Sequence, residues 1–552
     1  MRQVKLPSSI IHETPMPLKA DAYTVGSEMF ASEKAKEKSM YYLTFRRELN
    51  KINPDLYEKG DDRIIFHGLS RILQYLFYVA TNHEQLKETV DFLSMGKVTT
   101  KGLEPFPFPV EQWKRVVDEF NGRPPLLIRG VKEGSVLYPN EPGVTCVSMV
   151  DGFGELAAWF ESSIIKVWAS SQMVTQLVHW LEYCKSVVRA VYGNTITEER
   201  IEYLGSCMLH NFGCRAGMTP QESEWIGGDS LLVFPSTDTF SGAYQMWKNG
   251  NKTPGIYVSV QALAHRNVQG YEVETDCFRK LKDSGNPGDI NSNVADCYDF
   301  WTAVEGNGKG TDNSLLGLAL ESKRSGDGTI TIARPDSGNP TEQVLWLCRL
   351  AMKHGLSKKE IINGKEWRFG TNLKVLEGDS MKWKSMRELN AEMMNIGCPP
   401  FGWGVPYGVG GALRNISRDD LSAKYAMCAY GNELTPACKY SETVEKTTLP
   451  GPFKLLRSPE ALAAKKTIVF PWEPGEDVMV DYFNGLDIWD PFKEGFGADT
   501  LKEKARIKEQ MATMPKNLRT EENHGYPASD AIRNKRIELL YKYAPKKLAQ
   551  NY

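Results

Sequence analysis

Arg215, Asp238, His265, Asp296, Arg334, Asp336 and Asp379 each stand where a short apolar run gives way to a polar turn, and Arg418 follows a glycine-rich one. If those runs are strands, these groups share one rim. Crowding charges there costs free energy unless each pairs with another or with a ligand. Guanidinium forks hold phosphate oxygens, while carboxylates hold Mg2+, its waters and sugar hydroxyls. The mixture of signs fits a phosphorylated, Mg2+-bearing substrate. A ring of structural salt bridges among the strands fits position alone equally well.

Two turns among these positions are rich in glycine, Gly378-Asp379 and Gly408-Val409-Gly410-Gly411. Glycine lets backbone N–H groups approach an anion, and barrels bind phosphate on their last loops, although glycines also simply make turns. The chain has no Gly-x-x-x-x-Gly-Lys-Ser/Thr loop and no Gly-x-Gly-x-x-Gly opening a helix. That argues against a nucleoside triphosphatase or a dinucleotide enzyme.

From about residue 201, apolar runs alternate with helical patterns. The runs are 207–212, 231–234, 256–260, a weaker 292–295, 329–333, 373–376 and a glycine-rich stretch at 401–409. Helical patterns cover 271–282, 299–305, 340–354 and 383–396. In the fifth unit Asn339 can cap a helix, with Pro340 at its first position, Glu342 reaching back as in a capping box, and Gly355 at the exit. Strands alternating with helices imply a parallel sheet with crossovers, and about seven units suit a closed α/β barrel with its site at the carboxyl ends of the strands. An open doubly wound sheet gives the same one-dimensional pattern.

Outside that region the pattern differs. A strand is expected at 63–66, and Met173, Leu177, Trp180, Cys184, Val187 and Val191 recur at helical spacing up to Gly193. Beyond about 429 the rhythm stops. Pro450-Gly451-Pro452 marks a turn, 465–470 reads as a strand, and charged helices follow at 500–514 and 528–543. The basic residues Arg533, Lys535, Arg536 and Lys542 read as a solvated helix face.

At 552 residues the chain exceeds what one core usually serves, so more than one packed unit is expected. The 67 basic and 69 acidic residues nearly cancel, against a general nucleic-acid or membrane-surface role. Ten scattered cysteines without a Cys-x-x-Cys pair argue for reduced thiols rather than disulfides or zinc. No apolar run approaches transmembrane length, and a cytoplasmic protein is expected.

The segments Leu209-His210-Asn211-Phe212-Gly213-Cys214-Arg215, Ser236-Thr237-Asp238-Thr239, Arg334-Pro335-Asp336-Ser337-Gly338-Asn339-Pro340, Glu377-Gly378-Asp379, Gly408–Gly411 and Ser417-Arg418-Asp419 occur in one order at matching intervals. Together they resemble the nicotinamide phosphoribosyltransferase branch of the type II phosphoribosyltransferase family, from about Ala20 to Ala429. The resemblance implies an irregular parallel α/β barrel with an additional mixed α/β, β-sandwich-like domain built from N- and C-terminal segments. It implies three parts: 1–165, an N-terminal mixed domain contributing to a dimer interface; 166–429, the catalytic barrel; and 430–552, a segment returning to the second domain with a helical tail.

The implied reaction joins nicotinamide to 5-phosphoribosyl-1-pyrophosphate, giving nicotinamide mononucleotide and pyrophosphate. Phe212 and, from the partner subunit of a homodimer, the residue matching Tyr23 would sandwich the pyridine ring. Asp238 would accept a hydrogen bond from its amide. Arg215 and Arg334 would bind phosphates, Asp336 and Asp296 would be active-site acids, and Ser259 and Ser292 would contact substrate. Gly378, Asp379, Gly410, Gly411 and Arg418 would cradle the ribose and 5′-phosphate. His265 would be phosphorylated by ATP, and Mg2+ would be held mainly by substrate phosphates. Two departures stand out: Ala264 replaces an expected acid, and Ala426 an expected phosphate-binding Lys, for which Lys424, two residues earlier on the same strand face, would substitute. Nicotinate phosphoribosyltransferase and a non-catalytic ligand-binding protein of the same fold are the main alternatives, and a NAD-consuming glycohydrolase is a third.

Overall fold

The structure, a computed structural model, describes residues 13–28, 30–217, 219–378, 381–404, 407–441, 446–487, 500–520, 525–544 and 546. Asp379 lies outside the described residues.

The apolar runs assemble into one parallel array. Leu209–Asn211 pairs with Tyr407–Val409, and Tyr407 is bridged in turn to Glu377. Leu373–Val375, Ile330–Arg334, Ile290–Val294 and Gln261–Ala262 continue the array as a parallel sheet. Thr237 bridges Tyr257 at its far edge. Between that edge and Asn211 no ladder closes the ring among the described residues. Asn211 Nδ2 instead donates to Ser230 Oγ at 3.2 Å. Helices Glu274–Asp283, Leu315–Ser325, Pro340–Lys353 and Trp383–Asn395 form crossovers. This is the irregular parallel α/β barrel expected.

The strand Ile290–Val294 explains why its run looked weak. Asn291, Ser292 and Asn293 are all buried, and Asn293 Nδ2 donates to the backbone oxygens of Asn291 and Ile332. In the fifth unit Asn339 Oδ1 accepts from the Glu342 N–H at 3.1 Å, with Pro340 at the helix start. Gly355 follows with a left-handed φ of 68°, which glycine adopts without steric penalty.

Two expected strands are corrected. The run 231–234 is not a strand: helix Pro220–Asp229 passes directly into the 3-10 turn Ser230–Leu232, with Phe234 N bonded to Ser230 O. Leu231, Leu232, Val233 and Phe234 are all buried, and a run buried on every side carries no periodicity to separate strand from turn. Within 256–260 only Tyr257 makes a bridge, and the ladder falls on Gln261–Ala262 because only those residues reach Asn291 and Ser292.

A second sheet is antiparallel and draws on both ends of the chain. Its order is Thr435–Pro436, Lys424–Tyr430, Ser39–Thr44, Pro142–Ser148, Leu126–Gly130 and Val480–Asn484. The strand Lys424–Tyr430, all but its last residue within 166–429, therefore pairs outside the barrel. The helix Val167–Tyr192 buries Met173, Leu177, Trp180, Cys184, Val187 and Val191 and stops at Gly193. No helix among the described residues is long and apolar enough to cross a membrane.

Candidate active site

A cavity of about 720 Å3 opens at the carboxyl ends of the parallel strands, lined in part by Phe212, Arg215, His265, Arg334, Asp336, Gly378, Gly410 and Gly411. Each is carried there by the end of its strand, as Arg334 is, or by the segment that follows it, as expected for this architecture.

The charged groups form a chain. His265 begins the short helix His265–Val268, and its Nε2 lies 3.1 Å from Asp296 Oδ1. The other Asp296 oxygen accepts from Ser337 Oγ at 2.5 Å. His265 Nδ1 is 4.0 Å from Asp336 Oδ2, and Asp336 Oδ1 is 3.4 Å from Arg334 Nε. Arg334 Nη2 also donates to Leu263 O at 2.6 Å. The expected ring of ion pairs is present, and it holds these groups in place while leaving Asp336 and His265 partly exposed. Arg215, by contrast, is exposed and has no ion-pair partner among the described residues. The acceptor missing at Ala264 is supplied to His265 by Asp296, from the end of the neighbouring strand.

Glycine is required at 408. The ring of Phe212 lies over it so closely that a Cβ there would collide with Phe212 Cδ2 and Cε2. At Gly378 a Cβ would approach Asp336 Oδ1 to 3.2 Å, whereas Gly411 faces open space. The last two turns therefore leave bare backbone beside the carboxylate and the aromatic ring.

Other expected residues are placed apart. Asp238 does not line this cavity; its Oδ2 lies 3.2 Å from His210 Nδ1, one strand position from Asn211 and two from Phe212. Ser292 is buried and its backbone oxygen accepts from Leu263 N. Ser259 is exposed and lines none of the clefts described here. Tyr23 and Arg418 lie together in another cleft, of about 470 Å3, with Lys19, Asp21 and Glu161. Tyr23 is 65% exposed, so within one chain it does not sandwich anything against Phe212.

Lys424 and Ala426 share one face of their strand. Burial lowers the Lys424 pKa, as do the neighbouring cations Lys439, Arg46 and Arg418, against the pull of Glu161. Lys424 thus shares its electrostatic surroundings with Arg418.

His210, Ser337, Lys382 and Asn415 were not singled out from sequence. Lys382 and Asn415 line the main cavity, and His210 and Ser337 hold Asp238 and Asp296. His210 and Ser337 do lie inside the quoted motifs. Lys382 carried no such signal.

Residues 207–447 match the nicotinate phosphoribosyltransferase (NAPRTase) family. The chain is 27% identical over 371 residues to a nicotinamide phosphoribosyltransferase of Xanthomonas campestris pv. campestris, covering 66% of this chain and 73% of that one. It is 25% identical over 308 residues to a nicotinamide phosphoribosyltransferase of Acinetobacter baylyi, covering 51% and 54%. In fold it is similar to human nicotinic acid phosphoribosyltransferase, with a TM-score of 0.53 at 13% identity over 94% of this chain and 99% of that one. A nicotinate-nucleotide pyrophosphorylase from Pyrococcus furiosus gives a TM-score of 0.50 at 12% identity, over 91% and 99%.

Proposed function

We propose that this chain, a pentosyltransferase similar to the NAPRTase family, is a nicotinamide phosphoribosyltransferase. It transfers the phosphoribosyl group of 5-phosphoribosyl-1-pyrophosphate to the ring nitrogen of nicotinamide, releasing pyrophosphate. The observation that carries this reading is the Arg334–Asp336–His265–Asp296 chain, which faces a cavity walled by Phe212 and bare glycine backbone.

Phe212 offers one face to a flat, neutral ring, a contact worth about 0.5–1.5 kcal/mol beyond area burial. Asp238 lies beyond His210 at the same end and supports selection of an amide over a carboxylate. Nicotinate is the competing base, because His210, when protonated, would give a carboxylate the cation it needs.

As pyrophosphate leaves, positive charge develops at the anomeric carbon. In this reading Asp336 stabilises it and Arg334 and Arg215 hold the departing phosphates, which their common position on the cavity wall supports. The pyridine nitrogen attacks with its own lone pair, so no general base is needed. Asp336, partly exposed at the cavity, offers hard oxygen donors of the kind Mg2+ takes, and bound Mg2+ supplies charge neutralisation at the leaving group. In the tautomer that donates Nε2–H to Asp296, the Nδ1 lone pair, 4.0 Å from Asp336 Oδ2, would attack the γ-phosphorus of ATP, with ADP leaving.

A homodimer completes the site in this reading. The cleft bearing Tyr23 and Arg418 belongs, by its chemistry, opposite a pyridine and a phosphate. Its place apart from Phe212 is accounted for if a second copy supplies it.

The test is direct. Purified protein, Mg2+ and the phosphoribosyl donor are mixed with nicotinamide, nicotinate or both, with and without ATP, and mononucleotide is followed. Nicotinamide mononucleotide should form preferentially and faster with ATP. Preferential formation of the acid mononucleotide would overturn the reading.

A further inference from the structure

A second group of ionisable side chains meets inside the protein at residues unconnected to the barrel rim. His67 precedes helix Leu69–Phe77, Glu133 follows strand Leu126–Gly130, and Glu503 lies on helix Thr500–Thr513. Their exposures are 6%, 8% and 5%. His67 Nδ1 is 2.7 Å from Glu503 Oε1 and 3.8 Å from Glu133 Oε2. Glu133 Oε1 is held by the N–H groups of Gly68 at 3.1 Å and Ser70 at 2.9 Å, which leaves Oε2 turned to the imidazole. One ligand atom from each of the three residues lies within 4.8 Å of the others.

Behind the imidazole, His67 Nε2 is 3.0 Å from Asp229 Oδ1, which Arg71 Nη2 grips at 2.6 Å. The three residues border a cavity of about 280 Å3. Ser70 and Thr500, each 5% exposed, line the same cavity, and their hydroxyls have no hydrogen-bond partner among the described residues.

We propose that His67, Glu133 and Glu503 bind one divalent transition-metal cation, Zn2+ or Mn2+, as a structural centre separate from the phosphoribosyl site. Ligands held at ~2.0–2.2 Å from one ion lie about 3–4.4 Å apart, so the His67–Glu133 spacing of 3.8 Å already fits and the His67–Glu503 contact of 2.7 Å needs a small opening. A metal-bound imidazole normally gives its other N–H to a carboxylate, and Asp229 stands there, itself balanced by Arg71. The two glutamates then balance the divalent ion, whereas an imidazolium offers them one positive charge. Of the nearby cations, Arg71 reaches Asp229 and His67 Nε2, and Arg506 donates to the Glu133 backbone oxygen, so neither pairs with the Glu133 or Glu503 carboxylate among the described residues. One nitrogen with carboxylate oxygens suits Zn2+ or Mn2+ better than Mg2+, which prefers oxygen and water. The ion would tie the N-terminal segment to the C-terminal helix and, through Asp229, to helix Pro220–Asp229 of the barrel.

The full chain, stripped with chelator and dialysed, is titrated calorimetrically with Zn2+ alone, Mn2+ alone and Mg2+ alone, without donor, base or ATP. One Zn2+ or Mn2+ per chain should bind and raise Tm, with Mg2+ far weaker. Asp229→Asn should weaken binding ~10–100-fold, the usual scale for an orienting carboxylate, and Glu503→Gln should abolish it, while His265→Ala retains it. If Glu503→Gln does not fold, Mn2+ bound to the His265→Ala protein decides by electron spin resonance: nitrogen coupling supports the site, and its absence overturns it. Absence of Zn2+ and Mn2+ binding at millimolar ion, or binding unchanged in folded Glu503→Gln, would also overturn it.

Discussion

His265 Nε2 stands 3.1 Å from Asp296 Oδ1, and Ser337 Oγ holds the opposite oxygen of the same carboxylate. The imidazole is therefore oriented across strands rather than by the residue before it. Asp296→Ala should cost about tenfold in the ATP-stimulated rate, the scale of one charge-assisted hydrogen bond, with a smaller loss without ATP. Ala264→Glu should change ATP stimulation little, because the orienting acceptor is already present. Rates with and without ATP, with acid-labile phosphate on the protein, check both.

In the proposed function Asp238, outside the main cavity but held 3.2 Å from His210, sets base selectivity through its carboxylate. Nicotinate brings a second carboxylate and loses an amide donor. Asp238→Asn should therefore erode the nicotinamide preference by about 2–4 kcal/mol, or roughly 30-fold to 1,000-fold in the ratio of kcat/KM values. Competition between the two bases in one assay measures it. An unchanged ratio would show that selectivity resides elsewhere.

Gly408 lacks the Cβ that would strike the Phe212 ring. Gly408→Ala must push the ring off and should raise KM for the base by up to about tenfold, the value of one stacking contact. KM for the phosphoribosyl donor should hardly move. Equal losses for both substrates would mean that the whole turn had shifted.

How legible each part was depended on whether its signal was local. The segment expected as strand 329–333 is strand Ile330–Arg334, because β-branched residues and an Asn339-Pro340 helix start are neighbours in sequence. The 231–234 run was illegible, since burial on all sides erases periodicity. The hairpin Ser357–Ile362 with Lys365–Gly370 was not anticipated, although Asn363-Gly364, both at positive φ, is a strong turn signal. Pairings such as His210–Asp238 or His67–Glu503 join distant residues, and no local pattern specifies them. Tyr23 was named through the resemblance, and its distance from Phe212 follows from tertiary structure alone.

Asp327 supports the strand that delivers Arg334 and Asp336. Burial pushes its carboxyl up, but the Thr329 N–H, the Ser325 and Thr329 hydroxyls and Lys282 outweigh that and hold it at about 2. A carboxyl depressed in the folded state stabilises the fold above its ordinary pKa, near 4, and loses that contribution as pH falls toward 2. Asp327→Asn should therefore lower Tm at neutral pH and flatten the fall of Tm between about pH 4 and pH 2. Thermal unfolding across that window checks the sign. A mutant curve parallel to wild type would mean that the carboxylate contributes nothing through its charge.

The separation of Tyr23 from Phe212 makes a stoichiometric prediction. In a dimer with shared sites, Tyr23→Ala on one chain and Phe212→Ala on the other place both lesions in one site and leave the second site intact. Each variant alone should be impaired at both sites. After mixing under conditions that exchange subunits, half the dimers are heteromeric with one sound site each, so activity should recover to about a quarter of wild type. The measurement is the rate against mixing time at saturating donor and limiting nicotinamide, where loss of stacking is felt most. If mixing restores nothing although exchange is verified, Tyr23 acts within its own chain or not at all. The cleft shared with Arg418 would then need another explanation.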